Sequence, residues 1–266
     1  MNDSPTLGGV PLRAPSAQDA RLAMLLWGDA GCGKTTLAAT APGHKLLILM
    51  DPDGDLSIAT RSDVTTLDLS SAPPMQVIDK FRAPDPYGIE AFLRSHPQVE
   101  TVIWDSVTAY AYIALQEAVM KNKSSSMEQP GMHGYTWRNA SVLRAAVALM
   151  TITGRLNRNI IFVTHEQAPD RDDKGNIVSV TMALSEGTAN QVGLRLNEVW
   201  WMNDNGRTHT IAVRPCRLHK PMKTRMWNAI QPEFTWRYDP VTLRGDGVAE
   251  WFAAWRAGGG AKLALP

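Results

Sequence analysis

Residues Gly28-Asp29-Ala30-Gly31-Cys32-Gly33-Lys34-Thr35 set glycines, a lysine and a hydroxyl in the order G-x-x-x-x-G-K-[ST]. Glycines at this spacing let the backbone curl until successive N–H groups converge on an anion. An apolar run at 22–27 precedes the motif and a helix-forming stretch at 34–41 follows it. That context makes the loop a phosphate cradle, completed by the positive end of the helix. The nucleotide contacts expected are Gly28, Asp29, Ala30, Gly31, Cys32, Gly33, Lys34, Thr35 and Thr36. Lys34 would reach the β- and γ-phosphates, and Thr35 would turn its hydroxyl to Mg²⁺. The expected cofactors are ATP and Mg²⁺. No N-K-x-D guanine-reading motif is present, and adenine is often read by packing, so ATP and GTP are not separated at this level.

Three further groups stand at the ends of apolar runs. Asp105 closes Val102-Ile103-Trp104 and suits a magnesium site shared with Thr35. Asp51-Pro52-Asp53-Gly54-Asp55 follows the run at 46–50. A carboxylate there, Asp53 first and Asp51 as the alternative, can orient or deprotonate an attacking water. His165 follows Ile160-Ile161-Phe162-Val163-Thr164, at the strand end where α/β sheets bind ligands. Cys32 reads as a small residue fitting the turn rather than a redox switch.

The elements that must position these groups follow from pattern. Apolar runs at 22–27, 46–50, 99–104 and 160–164 read as strands covered on both faces. Helical spacing at 34–41, 75–81, 89–95, 107–120 and 137–156 alternates with them, as in a parallel α/β sheet. Strands are then expected at 177–184, 198–202 and 208–214, with a helix at 187–196 and a tight turn at Asn203–Gly206. A last amphipathic helix at 247–256 would turn Val248, Trp251, Phe252 and Trp255 inward. The division expected is an N-terminal arm at 1–20, a core at 21–245, and a closing helix and tail at 246–266.

The 266 residues carry 27 Lys plus Arg against 26 Asp plus Glu, a net charge of +1 that excludes a uniformly basic nucleic-acid coat. The charge is segregated, however. No acidic residue occurs from 206 to 232, where Arg207, Arg214, Arg217, Lys220, Lys223 and Arg225 lie. A basic stretch with aromatic punctuation suits phosphate contact, and a solvated hairpin looks much the same. Two loops are candidates for DNA contact. The favoured one is 121–134, with Lys121, Lys123 and His133 toward phosphates, and Tyr135 and Trp137 either for stacking or, equally, for core packing at a helix start. The other, 166–176, is rich in aspartate. Two cysteines, Cys32 and Cys216, form no disulfide or zinc pattern and fit a reducing cytoplasm. No membrane-length apolar run and no signal-peptide pattern is present.

Taken in order, Gly28–Thr36, Asp51–Asp55, Ile103–Ser106, Gly134-Tyr135 before a long helix, Phe162–Glu166 and Lys223–Arg225 resemble the phage-encoded RecA-like AAA ATPases of the single-strand annealing recombinase group. The resemblance spans roughly residues 21–230. Ser106 rather than Glu after Asp105 is the RecA-like pattern, in which the water-activating carboxylate comes from the earlier strand. Asp53 holds the position of the Glu in D-x-E-G, one methylene shorter. The resemblance makes His165 a sensor of the γ-phosphate that signals to a DNA-binding loop. It makes Lys223 and Arg225 cations that reach a neighbouring subunit's γ-phosphate.

The fold implied is a RecA-like P-loop α/β domain: a mostly parallel sheet flanked by helices, with an antiparallel β extension near the C-terminus. The function implied is a DNA-dependent ATPase that anneals or pairs single-stranded DNA. It would work as a homo-oligomer, ring or filament, beside a single-strand-binding protein, in a bacterial host's cytoplasm and away from membranes. Two other classes compete. A kinase-type phosphotransferase is allowed by the P-loop, but no Arg-rich lid follows a core helix. A non-hydrolysing switch that binds a protein partner is kept open by Asp in place of Glu at position 53.

Overall fold

The computed structural model describes residues 6–8, 10–12, 14, 16–122, 126–215, 219–228, 233–239 and 241–266. The candidate contacts Lys123 and Arg217, together with Cys216, lie outside the described residues.

The strands of four or more residues among the described residues are β1 (Ala23–Gly28), β2 (His44–Leu49), β3 (Val64–Asp68), β4 (Val99–Asp105), β5 (Asn159–His165), β6 (Ile177–Thr181), β7 (Glu198–Asp204), β8 (His209–Ala212) and β9 (Glu233–Trp236). Between them run α1 (Lys34–Ala39), α2 (Pro74–Arg82), α3 (Ile89–Ser95), α4 (Val107–Lys121), α5 (Gly131–Arg155), α6 (Glu186–Leu194) and, last, α7 (Val248–Ala257). Eight of the strands form one sheet in the order β9-β8-β7-β1-β5-β4-β2-β3. From β7 to β3 every neighbouring pair is parallel; β8 and β9 add antiparallel strands at the other edge. The mostly parallel α/β architecture expected from the sequence is therefore present, antiparallel extension included.

Alternation along the central strands divides the core in two. Leu25, Trp27, Ile48, Trp104 and Phe162 face the layer of α2, α4, α5 and α6. Leu26, Leu49, Ile103, Ile161 and Trp200 face α1, α7 and the aromatic residues of β9. Strands with both faces covered are apolar throughout, which is why these runs stand out in the sequence. Trp251 and Phe252 of α7 are buried as expected, whereas Trp255 packs on Phe252 from a half-buried position.

Differences from expectation have local causes. β3 mixes half-buried and exposed residues at the sheet's edge, so it lacks the continuous apolar run of a central strand. α5 starts at Gly131 instead of 137, with Pro130 in its N-cap position; the Pro-Gly pair reads as a loop but here opens the helix. His133, Tyr135 and Trp137 therefore sit on a helix. The expected strand 177–184 ends at Thr181, and the expected turn at Asn203–Gly206 does close β7 onto β8, pairing Asp204 with His209. Among the described residues no helix is long and apolar enough to cross a membrane.

One charged cluster pins the β2–β3 side of the sheet. The buried Lys45 ammonium donates to Asp63 at 2.5 Å, and Arg61 grips the same carboxylate at 2.9 and 2.7 Å. Burial opposes ionisation of Asp63, but the Arg61 and Lys45 hydrogen bonds prevail and hold its pKa down to about 2. A folded-state pKa below the unfolded value stabilises above the unfolded value and is lost as pH falls. The contribution is thus expected to fade between about pH 4 and pH 2. Asp63→Asn leaves Lys45 buried without its counter-charge and is expected to cost about 2 kcal/mol at neutral pH. Denaturant melts at pH 7 and pH 3 check this, and the mutant's deficit should shrink at the lower pH.

Candidate active site

Parallel pairing brings the ends of four strands to one edge. Gly28 of β1 is in register with His165 of β5, Asp105 of β4 with Val163, and Leu49 of β2 with Asp105. The P-loop, His165, Asp105 and the aspartate-rich turn after β2 consequently meet. They line a cleft of about 440 Å³ whose wall includes Gly33, Lys34, Thr35, Asp51, Asp105 and His165. A larger cleft of about 760 Å³ lies between β6 and α6; none of the candidate catalytic or nucleotide-contact residues lines it.

Two glycines of the loop are required by geometry. A Cβ on Gly28 would stand 2.0 Å from the Met202 carbonyl oxygen, so the strand-to-loop exit admits no side chain. Gly33 has φ 92° and abuts the Trp236 ring, a left-handed position that favours glycine. From there α1 begins at Lys34, whose ammonium is buried and donates to the carbonyls of Gly28 at 3.1 Å and Asp29 at 2.5 Å. The cation is held at the mouth of the loop.

The Thr35 hydroxyl donates to Asp105 Oδ2 at 2.5 Å. Burial pushes the Asp105 carboxyl above the usual range, against the pull of the Thr35 hydrogen bond, and the nearby Asp51 charge adds to the rise. A buried carboxylate with so little compensation beside a hydroxyl is a donor set that suits a hard cation. Among the described residues no cluster of three or more His, Cys, Asp or Glu side chains could hold a metal unaided. Magnesium would be held here by Thr35 and Asp105 with phosphate and water oxygens completing its shell.

Asp51, the second choice of the sequence reading, lines the cleft. Its Oδ2 accepts from the Ser106 hydroxyl at 2.6 Å and lies 3.7 Å from His165 Nε2. Burial opposes its ionisation, but the His165 and Ser106 side chains hold the carboxyl below its ordinary value. Asp53 has an exposed position with φ 57°, and the cleft wall runs through Asp51, Pro52 and Gly54 without it. Ser106 does double duty, since its hydroxyl also accepts from Ala109 N–H and caps α4. That role was not anticipated, although a serine directly before an apolar helix is an N-cap signal. Thr108 was missed as well: its hydroxyl accepts from the His165 N–H at 3.0 Å and contacts Thr164 at 2.7 Å, fixing the strand end.

Lys223 and Arg225 lie elsewhere. Lys223 pairs by its backbone with Val199 near the start of β7, and its ammonium donates to Leu196 O at 2.6 Å, beyond the end of α6. Parallel β1 and β7 put that position at the sheet end opposite the P-loop. The turn is anchored by buried Glu198, which accepts from the N–H groups of Arg225 and Met226 at 2.7 and 3.0 Å and from Trp200 Nε1 at 2.7 Å. A glutamate opening an apolar strand was the signal for this anchor. The Arg225 side chain is exposed.

Lys121 and Trp137 are engaged in a packed cluster. Buried Glu117 accepts from Arg82, Lys121 and Trp137 at 2.6, 2.6 and 2.7 Å, and both cations lie about 5 Å from the Trp137 ring centre. Tyr135 remains 44% exposed with the Arg138 guanidinium over its ring, and His133 is exposed. The 166–176 loop leads from His165 into a hairpin tied back to it: Ala183 N–H donates to His165 O and Gln167 N–H to Thr181 O.

Among solved structures, the chain is similar to one described as the crystal structure of the RadB recombinase. The identity is 13% and the TM-score 0.44, over 82% of this chain and 88% of that chain. No curated protein sequence matches it. The family model described as an AAA domain (AAA_24) matches residues 20–226. That match takes in the P-loop, the carboxylates after β2 and at the end of β4, His165 and the Lys223–Arg225 turn, and the chain belongs to the AAA domain family.

Proposed function

We propose that this chain is a magnesium-dependent ATPase that acts on single-stranded DNA as a homo-oligomer in phage-type recombination. The observation that carries the hydrolytic part is the convergence of Lys34, Thr35, Asp105, Asp51 and His165 on one cleft. Lys34 and the loop N–H groups bind the phosphates. Bound magnesium supplies Lewis-acid polarisation of a phosphate oxygen. Asp105 and Thr35 hold the cation, Asp51 orients the attacking water, and His165 senses the terminal phosphate.

The DNA reading is supported by the resemblance and by the acid-free stretch 206–232. The hydrogen bond that Ala183 N–H donates to the His165 carbonyl ties the strand end to the 166–183 hairpin and offers a physical route from phosphate state to a surface loop. Cooperation with a single-strand-binding protein follows from the same resemblance. Measuring ATP turnover and particle size with and without single-stranded DNA tests this. Unchanged turnover and unchanged size would remove DNA from the proposal.

Lys223 and Arg225, remote from their own chain's P-loop, fit a role in a neighbour's site. Arg225→Ala is expected to spare ATP binding and to slow turnover about tenfold to a hundredfold. That is less than the ~10³ of a lone arginine finger, because Lys223 remains. Mixing this variant with Lys34→Ala should restore part of the turnover, since each supplies what the other lacks. A monomer that hydrolyses ATP at the full rate would sink the trans assignment.

A further inference from the structure

Residues 223–226 hang on the first two residues of β7. Val199 exchanges both backbone hydrogen bonds with Lys223: its N–H donates to Lys223 O at 2.7 Å, and its carbonyl accepts from Lys223 N–H at 2.9 Å. Glu198 holds the rest. Its Oε1 accepts from the Arg225 and Met226 N–H groups at 2.7 and 3.0 Å, and its Oε2 from Trp200 Nε1 at 2.7 Å. The Thr224 hydroxyl donates to the same carboxylate. The side chain is 1% exposed, and these donors are all neutral. Burial pushes the carboxyl above its ordinary range, against the hydrogen bonds. A buried carboxylate without a cationic partner costs stability that an apolar residue at the head of a strand would not. Three of its donors come from consecutive residues, so what the carboxylate fixes is the position of one short turn.

Arg225 is the exposed residue of that turn. Met226 and Trp227 after it are buried, and the Trp227 ring packs on Trp200 and Trp251 with centres 6.3 and 5.4 Å away. The arginine backbone is thus held by Glu198 on one side and by core side chains on the other, while its guanidinium meets no hydrogen-bond acceptor among the described residues. Lys223 is placed separately, because its ammonium donates to Leu196 O at 2.6 Å and reaches Leu194 O at 3.4 Å. Glu198 is remote from its own chain's nucleotide cleft. Along parallel β1 and β7 it pairs with Met24, whereas Met202 pairs with Gly28 of the P-loop, four residues or roughly 13 Å further on.

We propose that Glu198 is the positioning residue for Arg225: its buried carboxylate fixes where the arginine stem leaves the subunit, and so how its guanidinium meets the terminal phosphate in a neighbouring subunit's site. The proposal rests on the trans reading of Arg225 above and extends it to the mount that carries the cation. A cation that stabilises charge on a transferring phosphoryl group acts through its position, so its effect depends on where its stem starts. A stem already fixed in the free subunit also leaves less of the long side chain to be ordered when the neighbour docks.

The test is a double-mutant cycle on ATP turnover by the full chain. Glu198→Ala removes the carboxylate. Glu198→Asp keeps it one methylene short of the turn and guards against loss of the fold. Each is made in the wild type and in Arg225→Ala, with ATP affinity from titration calorimetry and a thermal melt alongside. In the wild-type background both are expected to slow turnover about tenfold and to bind ATP as the wild type does; a misplacement of about 1 Å can cost up to about a hundredfold. In the Arg225→Ala background neither should slow turnover further, whereas a carboxylate that only supported the fold would act alike in both. The proposal is overturned if both single variants turn over at the wild-type rate, if the same loss appears with and without Arg225, or if ATP affinity falls with turnover. Full-rate turnover by Arg225→Ala itself would instead defeat the trans reading, and the positioning role with it.

Discussion

Lys34→Ala is expected to abolish ATP binding at concentrations that saturate the wild type, and turnover with it. The ammonium is buried at the loop mouth, so the phosphate charge it meets is poorly screened by solvent. Truncating one member of such a pair costs about 3 kcal/mol or more, a hundredfold or greater in affinity. The fold should survive the change. Alanine is a good helix former at the first position of α1. The Gly28 carbonyl keeps a partner in the Glu166 N–H at 2.9 Å, so it is not left unsatisfied. Titration with ATP and with tripolyphosphate, beside a thermal melt, separates the two effects. Undiminished affinity for both ligands in a folded variant would remove Lys34 from phosphate binding and with it the reading of the loop.

The P-loop was legible because its function is written in contiguous residues. Curl, cation and hydroxyl all lie within eight positions, and the flanking strand and helix are local as well. The parallel strands were legible for a similar reason, since burial on both faces leaves unbroken apolar runs such as Leu46–Leu49 and Ile160–Val163. Groups whose role depends on a side chain's direction were not. Asp51 and Asp53 are two residues apart in an exposed turn, and the positive φ at Asp53 is a tertiary outcome that spacing does not encode. For Trp137 the sequence left DNA stacking and core packing equally open, and Lys121 read as a phosphate contact; Glu117, buried on α4, binds both. Trp236, more than 200 positions along the chain, meets the P-loop only because β8 and β9 extend the sheet beyond β7 and set its ring against Gly33.

The choice between the two aspartates gives the second large effect. Asp51→Asn is expected to bind ATP normally and to slow turnover about 10³-fold, within the range for loss of a group that handles the attacking water. The substitution is nearly isosteric, and its amide oxygen can still accept from the Ser106 hydroxyl, so cap and turn should persist. Asp53→Asn, changing an exposed side chain outside the cleft wall, should leave turnover near the wild-type rate. The pH profile follows from the same geometry. Because Ser106 and His165 hold the Asp51 carboxyl below its ordinary value, it stays ionised through the neutral range. Its acid limb should therefore fall below the ~4 of an unperturbed aspartate. A carboxylate so stabilised is a weak base, so it acts by orienting water and opposing charge rather than by holding the proton throughout. Steady-state rates for both variants, with ATP affinity measured alongside, decide the matter. Turnover lost in Asp53→Asn and kept in Asp51→Asn would return the role to the residue that the D-x-E-G spacing favours, and would require the turn after β2 to rearrange when nucleotide binds.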